Sequence, residues 1–115
     1  MSDLECGLAD RDCAPCRGGV PALDDEGVAP LLADLNAGWR VIDGHHLHKT
    51  YRFPDWKQAQ AFVDAIGDLA ERQGHHPDLQ LSWGRVAVEV HTHAINGLAE
   101  ADFVLAAKIE RLANA

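Results

Sequence analysis

From Asp24 onward the apolar positions of this chain switch between a helical period and a strand period, and each switch marks an element. Val28, Leu31, Leu32 and Leu35 recur at i, i+3, i+4 and i+7, with Asp24, Asp25 and Glu26 at the start and Gly38 just beyond the end; this predicts a first helix. The next run, WRVIDGHHLHKTYRF, sets Asp43-Gly44 between two β-prone segments and predicts a hairpin closed by a two-residue type I′ turn. On its second strand, alternation puts Leu47, Tyr51, Phe53 and the Lys49 stem on a core face, and His46, His48, Thr50 and Arg52 on the other.

A second amphipathic segment opens at Pro54, carries Ala59, Phe62, Val63, Ile66 and Leu69 or Ala70 on one stripe, and stops at Gly74, a residue suited to a helix C-terminus. After Pro77, alternation through Leu79, Leu81 and Trp83 leads to Gly84. Then Val86, Val88 and Val90 face one way, and Ala87, Glu89, His91 and His93 the other, which reads as a second hairpin. A last helix follows, with Leu98, Leu105, Ile109 and Leu112 on its stripe, Glu100 and Asp102 in the first turn, and Lys108 and Arg111 toward the end. The order α-β-β-α-β-β-α, joined by hairpins, predicts an α+β domain: a four-stranded antiparallel sheet with three helices packed on one face.

Residues 1 to 22 show no sustained period and hold Gly, Pro and all three cysteines, so they read as an arm without regular structure, leaving residues 23 to 115 as the folded domain. With 115 residues there is room for one core and no more. Ten basic against eighteen acidic residues give a formal net charge of −8, which argues against direct nucleic-acid binding. No stretch is apolar enough for a membrane span, and MSDLECGLADRD has neither the basic nor the apolar part of a secretory signal, so a cytoplasmic protein is expected. Cys13 and Cys16 have C-x-x-C spacing with Cys6 nearby, but no fourth ligand is at hand, and the arm reads as reduced and unliganded.

The candidate chemistry lies in ERQGHHPDLQLSW. If the second helix ends at Gly74, His75 and His76 fall in a turn that can aim adjacent side chains at one space. The end of the fourth strand would bring His93 beside them. Glu71, one helical turn before His75, can reach the same space. Three imidazoles and a carboxylate suit general acid/base work. They are also legitimate zinc ligands, although adjacent histidines lack the spacing of the helical zinc motif, and no metal is expected. His91 shares the polar face with His93, while His45, His46 and His48 point to solvent or a partner subunit. Trp39, Trp56 and Trp83 read first as core or interface residues, and Trp39 is the candidate among them to stack on a flat heterocycle.

Taken in order, GW at Gly38 and Trp39, E-x-x-x-HHP from Glu71 to Pro77, an aromatic at Trp83, TH at Thr92 and His93, and GL-x-x-x-D ending at Asp102 make this chain resemble the pterin-4a-carbinolamine dehydratases. The resemblance implies dehydration of 4a-hydroxytetrahydropterin to quinonoid dihydropterin, in tetrahydrobiopterin recycling, without metal or organic cofactor. It implies His75, His76 and His93 around the pterin as catalytic residues, and Glu71, Thr92, Asp102 and Trp39 as substrate-binding residues. It further implies a homodimer or tetramer. Some relatives serve instead as a dimerisation cofactor of a transcription factor or as a Rubisco assembly factor, so a protein partner is the alternative. Ala99 stands where family members often carry Thr or Ser, a better helix cap.

Overall fold

The structure, a computed structural model, describes residues 8–10, 21–35 and 37–114. Cys6, Cys13 and Cys16 lie outside the described residues. Helix α1 spans Asp25–Leu35, strands β1 and β2 span Arg40–Ile42 and His46–Arg52, and helix α2 spans Trp56–Gln73. Strands β3 and β4 span Asp78–Ser82 and Arg85–Val90, and helix α3 spans Glu100–Ala113. The sheet is antiparallel throughout in the order β1-β2-β4-β3. This is the α+β order that periodicity predicts.

The core forms where the alternating strands meet the helix stripes. Leu47 and Tyr51 on β2 and Val86, Val88 and Val90 on β4 are buried on one face of the sheet, against Phe62 and Ile66 of α2 and Phe103, Leu105 and Ile109 of α3. The Lys49 stem shares that face, and its ammonium bonds Glu110 Oε1 at 2.7 Å and the carbonyl of Ala37. Glu110 also accepts from Tyr51 Oη at 2.6 Å and Trp39 Nε1 at 3.3 Å, so one carboxylate satisfies the buried Tyr51 and Trp39 and the half-buried Lys49. Burial alone pushes the Glu110 carboxyl up, but the Lys49 and Tyr51 hydrogen bonds and the Lys49 charge outweigh it and hold the group below its ordinary value.

Four local details depart from the sequence reading. The first hairpin pairs Ile42 with His46, so its loop is three residues long; Asp43 and Gly44 do take positive φ, and His45 is the additional residue. Helix α2 is capped by Asp55, whose Oδ1 accepts from the Gln58 N–H at 2.8 Å, and Pro54 stays outside it. Trp83 does not continue the β3 alternation: Ser82 pairs with Arg85, which leaves Trp83-Gly84 as the turn and Trp83 70% exposed. In the arm, Leu8–Asp10 form one 3-10 turn, with Leu8 buried and Ala9 O accepting from Lys108 Nζ at 2.8 Å. An apolar Leu8 with a core to enter overrides the lack of a local period.

Candidate active site

Helix α2 ends at Gly74, whose φ of 66° is available to glycine at little cost, and this reversal throws His75 and His76 to the same end of the sheet. Strand β4 ends at Val90, earlier than alternation suggests. The Thr92 N–H bonds Gly97 O at 2.8 Å, Asn96 turns left-handed, and His93 begins a single 3-10 turn instead of closing the strand. Because β3 and β4 are antiparallel, with Asp78 opposite Glu89, the exit of β4 still lies beside the entry of β3. Gly74, His75, His76, His91, His93 and Ala94 line one cleft of about 210 Å³. The three imidazoles named from sequence therefore converge.

Their environments differ. His75 is 5% exposed, and its Nε2 lies 2.7 Å from Oδ1 of Asp102, which is itself fully buried. A carboxylate only accepts, so the ring donates through Nε2–H, the tautomer in which Nδ1 carries the lone pair. Oδ2 of Asp102 accepts from Thr92 Oγ1 and from the Ala99 N–H, each at 2.8 Å. Asp102 thus does two jobs. As the third residue of α3 it takes the backbone donor at the helix start, half of a capping box, which supports the helix although Ala99 has no side-chain oxygen to contribute. As the neighbour of His75 and Thr92 it fixes the ring plane.

His76 is exposed and bonds Glu71 Oε2 at 2.5 Å, so Glu71 reaches the cleft through His76. His93 is exposed, and its ring lies 4.1 Å from that of His91 at 67°. His91 in turn packs 4.6 Å from His45, whose Nε2 is 2.9 Å from Asn96 Oδ1. Burial first, then the neighbouring His93 and His45, push the His91 imidazole below its ordinary value.

Trp39 is not brought to the cleft. It is 4% exposed, edge-on to Tyr51 with ring centroids 6.2 Å apart, and its indole N–H is turned to Glu110. An apolar ring with a single donor finds both a core and an acceptor there. Thr92 is buried, and its hydroxyl is spent on Asp102. Conversely, His91 enters the cleft wall and His45 and Asn96 stand behind it. The H-x-H alternation signals His91; the approach of His45 depends on a loop length that sequence does not reveal.

The chain is similar in sequence and in fold to known proteins. A family profile described as pterin 4 alpha carbinolamine dehydratase matches residues 21–112. The inferred pterin-4-alpha-carbinolamine dehydratase of Rickettsia bellii (strain OSU 85-389) is 49% identical over 111 residues, covering 96% of this chain and 98% of the relative. That of Rubrobacter xylanophilus is 50% identical over 105 residues, covering 91% and 97%. The crystal structure of a transcriptional coactivator/pterin dehydratase from Brucella melitensis superposes with a TM-score of 0.74 at 30% identity, over 80% of this chain and 98% of that one. A pterin dehydratase-like protein identified as a RuBisCO assembly factor in the alpha-carboxysome gives 0.60 at 26% identity, over 70% and 95%. With the family profile spanning nearly the whole described domain, this chain belongs to the pterin 4 alpha carbinolamine dehydratase family.

Proposed function

We propose that the cleft dehydrates a 4a-hydroxytetrahydropterin to the quinonoid dihydropterin by histidine acid/base catalysis, in the recycling of tetrahydrobiopterin. The observation that carries this reading is the buried Asp102–His75 pair facing a cleft shared with His76 and His93. Loss of the 4a oxygen as hydroxide is difficult, so a protonated imidazole donates to it and water departs while a neutral imidazole accepts the N5 proton. His75 and His93 are that pair. Asp102 accepts the Nε2–H of His75 in either charge state, so the ring keeps its aim through the cycle. His76, braced by Glu71, contacts the pterin ring.

The rival is a protein-binding role on the same fold, which the assembly factor among its structural neighbours illustrates. The presence of all three histidines around one cleft favours catalysis. Strands β1 and β3 are the edges of the described sheet, and an edge open to a second copy supports the reading of a homo-oligomer, taken here as a cytoplasmic one. Direct assay of carbinolamine dehydration tests the reading. His75→Ala and His93→Ala should each lower turnover at least about tenfold, at the cautious end of what a positioned acid or base contributes. Wild-type protein without turnover, or both variants at the wild-type rate, would end the proposal.

A further inference from the structure

The register that places Asp78 opposite Glu89 puts Asp78 on the face that His91, two residues past Glu89, also occupies as the chain leaves β4. His93, two residues further on, opens the following turn. One donor atom from each of Asp78, His91 and His93 lies within 4.8 Å of the other two. Of the zinc ligands considered from sequence, His75 bonds Asp102 and His76 bonds Glu71, and His93 is the one that joins this group. By contrast, neither His91 nor His93 makes a side-chain hydrogen bond among the described residues. His45 lies against the ring of His91 and is itself held by Asn96, which limits how far His91 can turn.

We infer that Asp78, His91 and His93 form a three-ligand site for a divalent transition metal of the zinc class at the rim of the cleft, and that occupancy of this site switches the dehydratase off. Two imidazole nitrogens and one carboxylate oxygen suit zinc and its first-row neighbours, whereas magnesium and calcium take oxygen shells. A tetrahedral zinc holds its donors about 3.3 Å apart, so each pair of donor atoms has roughly 1.5 Å or less to close, a movement open to the exposed side chains of Asp78 and His93 around a half-buried His91. Three protein ligands leave a fourth position for water. The regulatory half of the inference rests on the function proposed above: the metal takes the lone pair of His93, and a ligated nitrogen can neither give nor receive the proton that dehydration needs.

The test is a titration of the full chain with Zn²⁺ by calorimetry, with the imidazole nitrogens followed by NMR, in wild type, Asp78→Ala and His91→Gln. Wild type should bind zinc with movement of the His91 and His93 nitrogen signals. Each variant should bind at this site more weakly by at least about 10- to 100-fold, the range seen even for loss of an outer-sphere partner. Any zinc held by Cys6, Cys13 or Cys16 is common to all three proteins and cancels in the comparison. Zinc should abolish wild-type dehydration, EDTA should restore it, and Asp78→Ala should keep both its zinc-free rate and its activity in zinc. Unmoved histidine signals, or equal affinity in the variants, would overturn the site. Normal turnover with the site filled would overturn the switch. Zinc binding lost in the variants, in a protein with no zinc-free turnover, would uphold the site and refute the catalytic reading instead.

Discussion

Asp102→Asn is the substitution that most directly tests how this cleft is held. The side chain is fully buried and accepts three hydrogen bonds, from His75 Nε2, Thr92 Oγ1 and the Ala99 N–H, all between 2.7 and 2.8 Å. The amide has the same shape but only one oxygen. The Ala99 N–H can do nothing but donate, so the oxygen must stay with it, and the amide NH₂ turns toward His75. His75 Nε2 then has to accept, which moves its proton to Nδ1 and reverses the tautomer. Bonds to a charged acceptor contribute about 1.5–3 kcal/mol each and neutral ones about 1, so weakening two and inverting one predicts a loss of roughly 2–4 kcal/mol. That is a large part of the roughly 5–15 kcal/mol of a typical domain, yet leaves a folded protein. Asp102→Ala, by contrast, strands three buried donors and risks unfolding the chain outright.

Urea unfolding measures the stability change, and ¹⁵N NMR of the imidazole reports the tautomer without reference to activity. Turnover should fall by about 10² to 10⁴, the contribution of a positioned acid or base. An Asp102→Asn protein of wild-type stability that retains the Nε2–H tautomer would refute the reasoning about the carboxylate. Reversal of the tautomer with undiminished turnover would instead separate His75 from the chemistry.

Two further predictions concern groups outside that pair. Glu110→Gln keeps an acceptor for Tyr51 and Trp39 but removes the charge facing Lys49, and should cost about 1–2 kcal/mol near neutral pH. Because the Glu110 carboxyl is held below its ordinary value, its contribution is present above the ordinary carboxylate range and is lost as pH falls through the folded-state value; urea curves of the two proteins should converge in acid. His91 is shifted down, by burial first and by His93 and His45 next, with Asp78 and Asp102 opposing. Its unfolded form therefore binds a proton that the folded form resists, so wild type should lose stability as pH falls below about 6.5. His91→Gln should flatten that limb, and identical pH profiles for the two proteins would contradict the crowding of the imidazoles.

The sequence by itself determined the elements, their order and the core face of each, because a buried face imposes period 2 on Val86, Val88 and Val90 and a helical period on Phe62, Ile66 and Leu69. It also placed His75 and His76 at a bend, since Gly74 ends a helix for a local reason. Other features depend on groups distant in the chain. Trp39 looked available for stacking, but Glu110, 71 residues later, supplies an acceptor in the core. The histidine set became a graded site only through Asp102, 27 residues after His75, whose carboxylate buries one ring and leaves His76 and His93 open. The Asp78–His91–His93 cluster required the β3–β4 register, and the approach of His45 required a three-residue loop. Periodicity reports which way a side chain faces relative to its own backbone; which partner it meets there is decided by strand pairing and by competition for the few acceptors inside the fold.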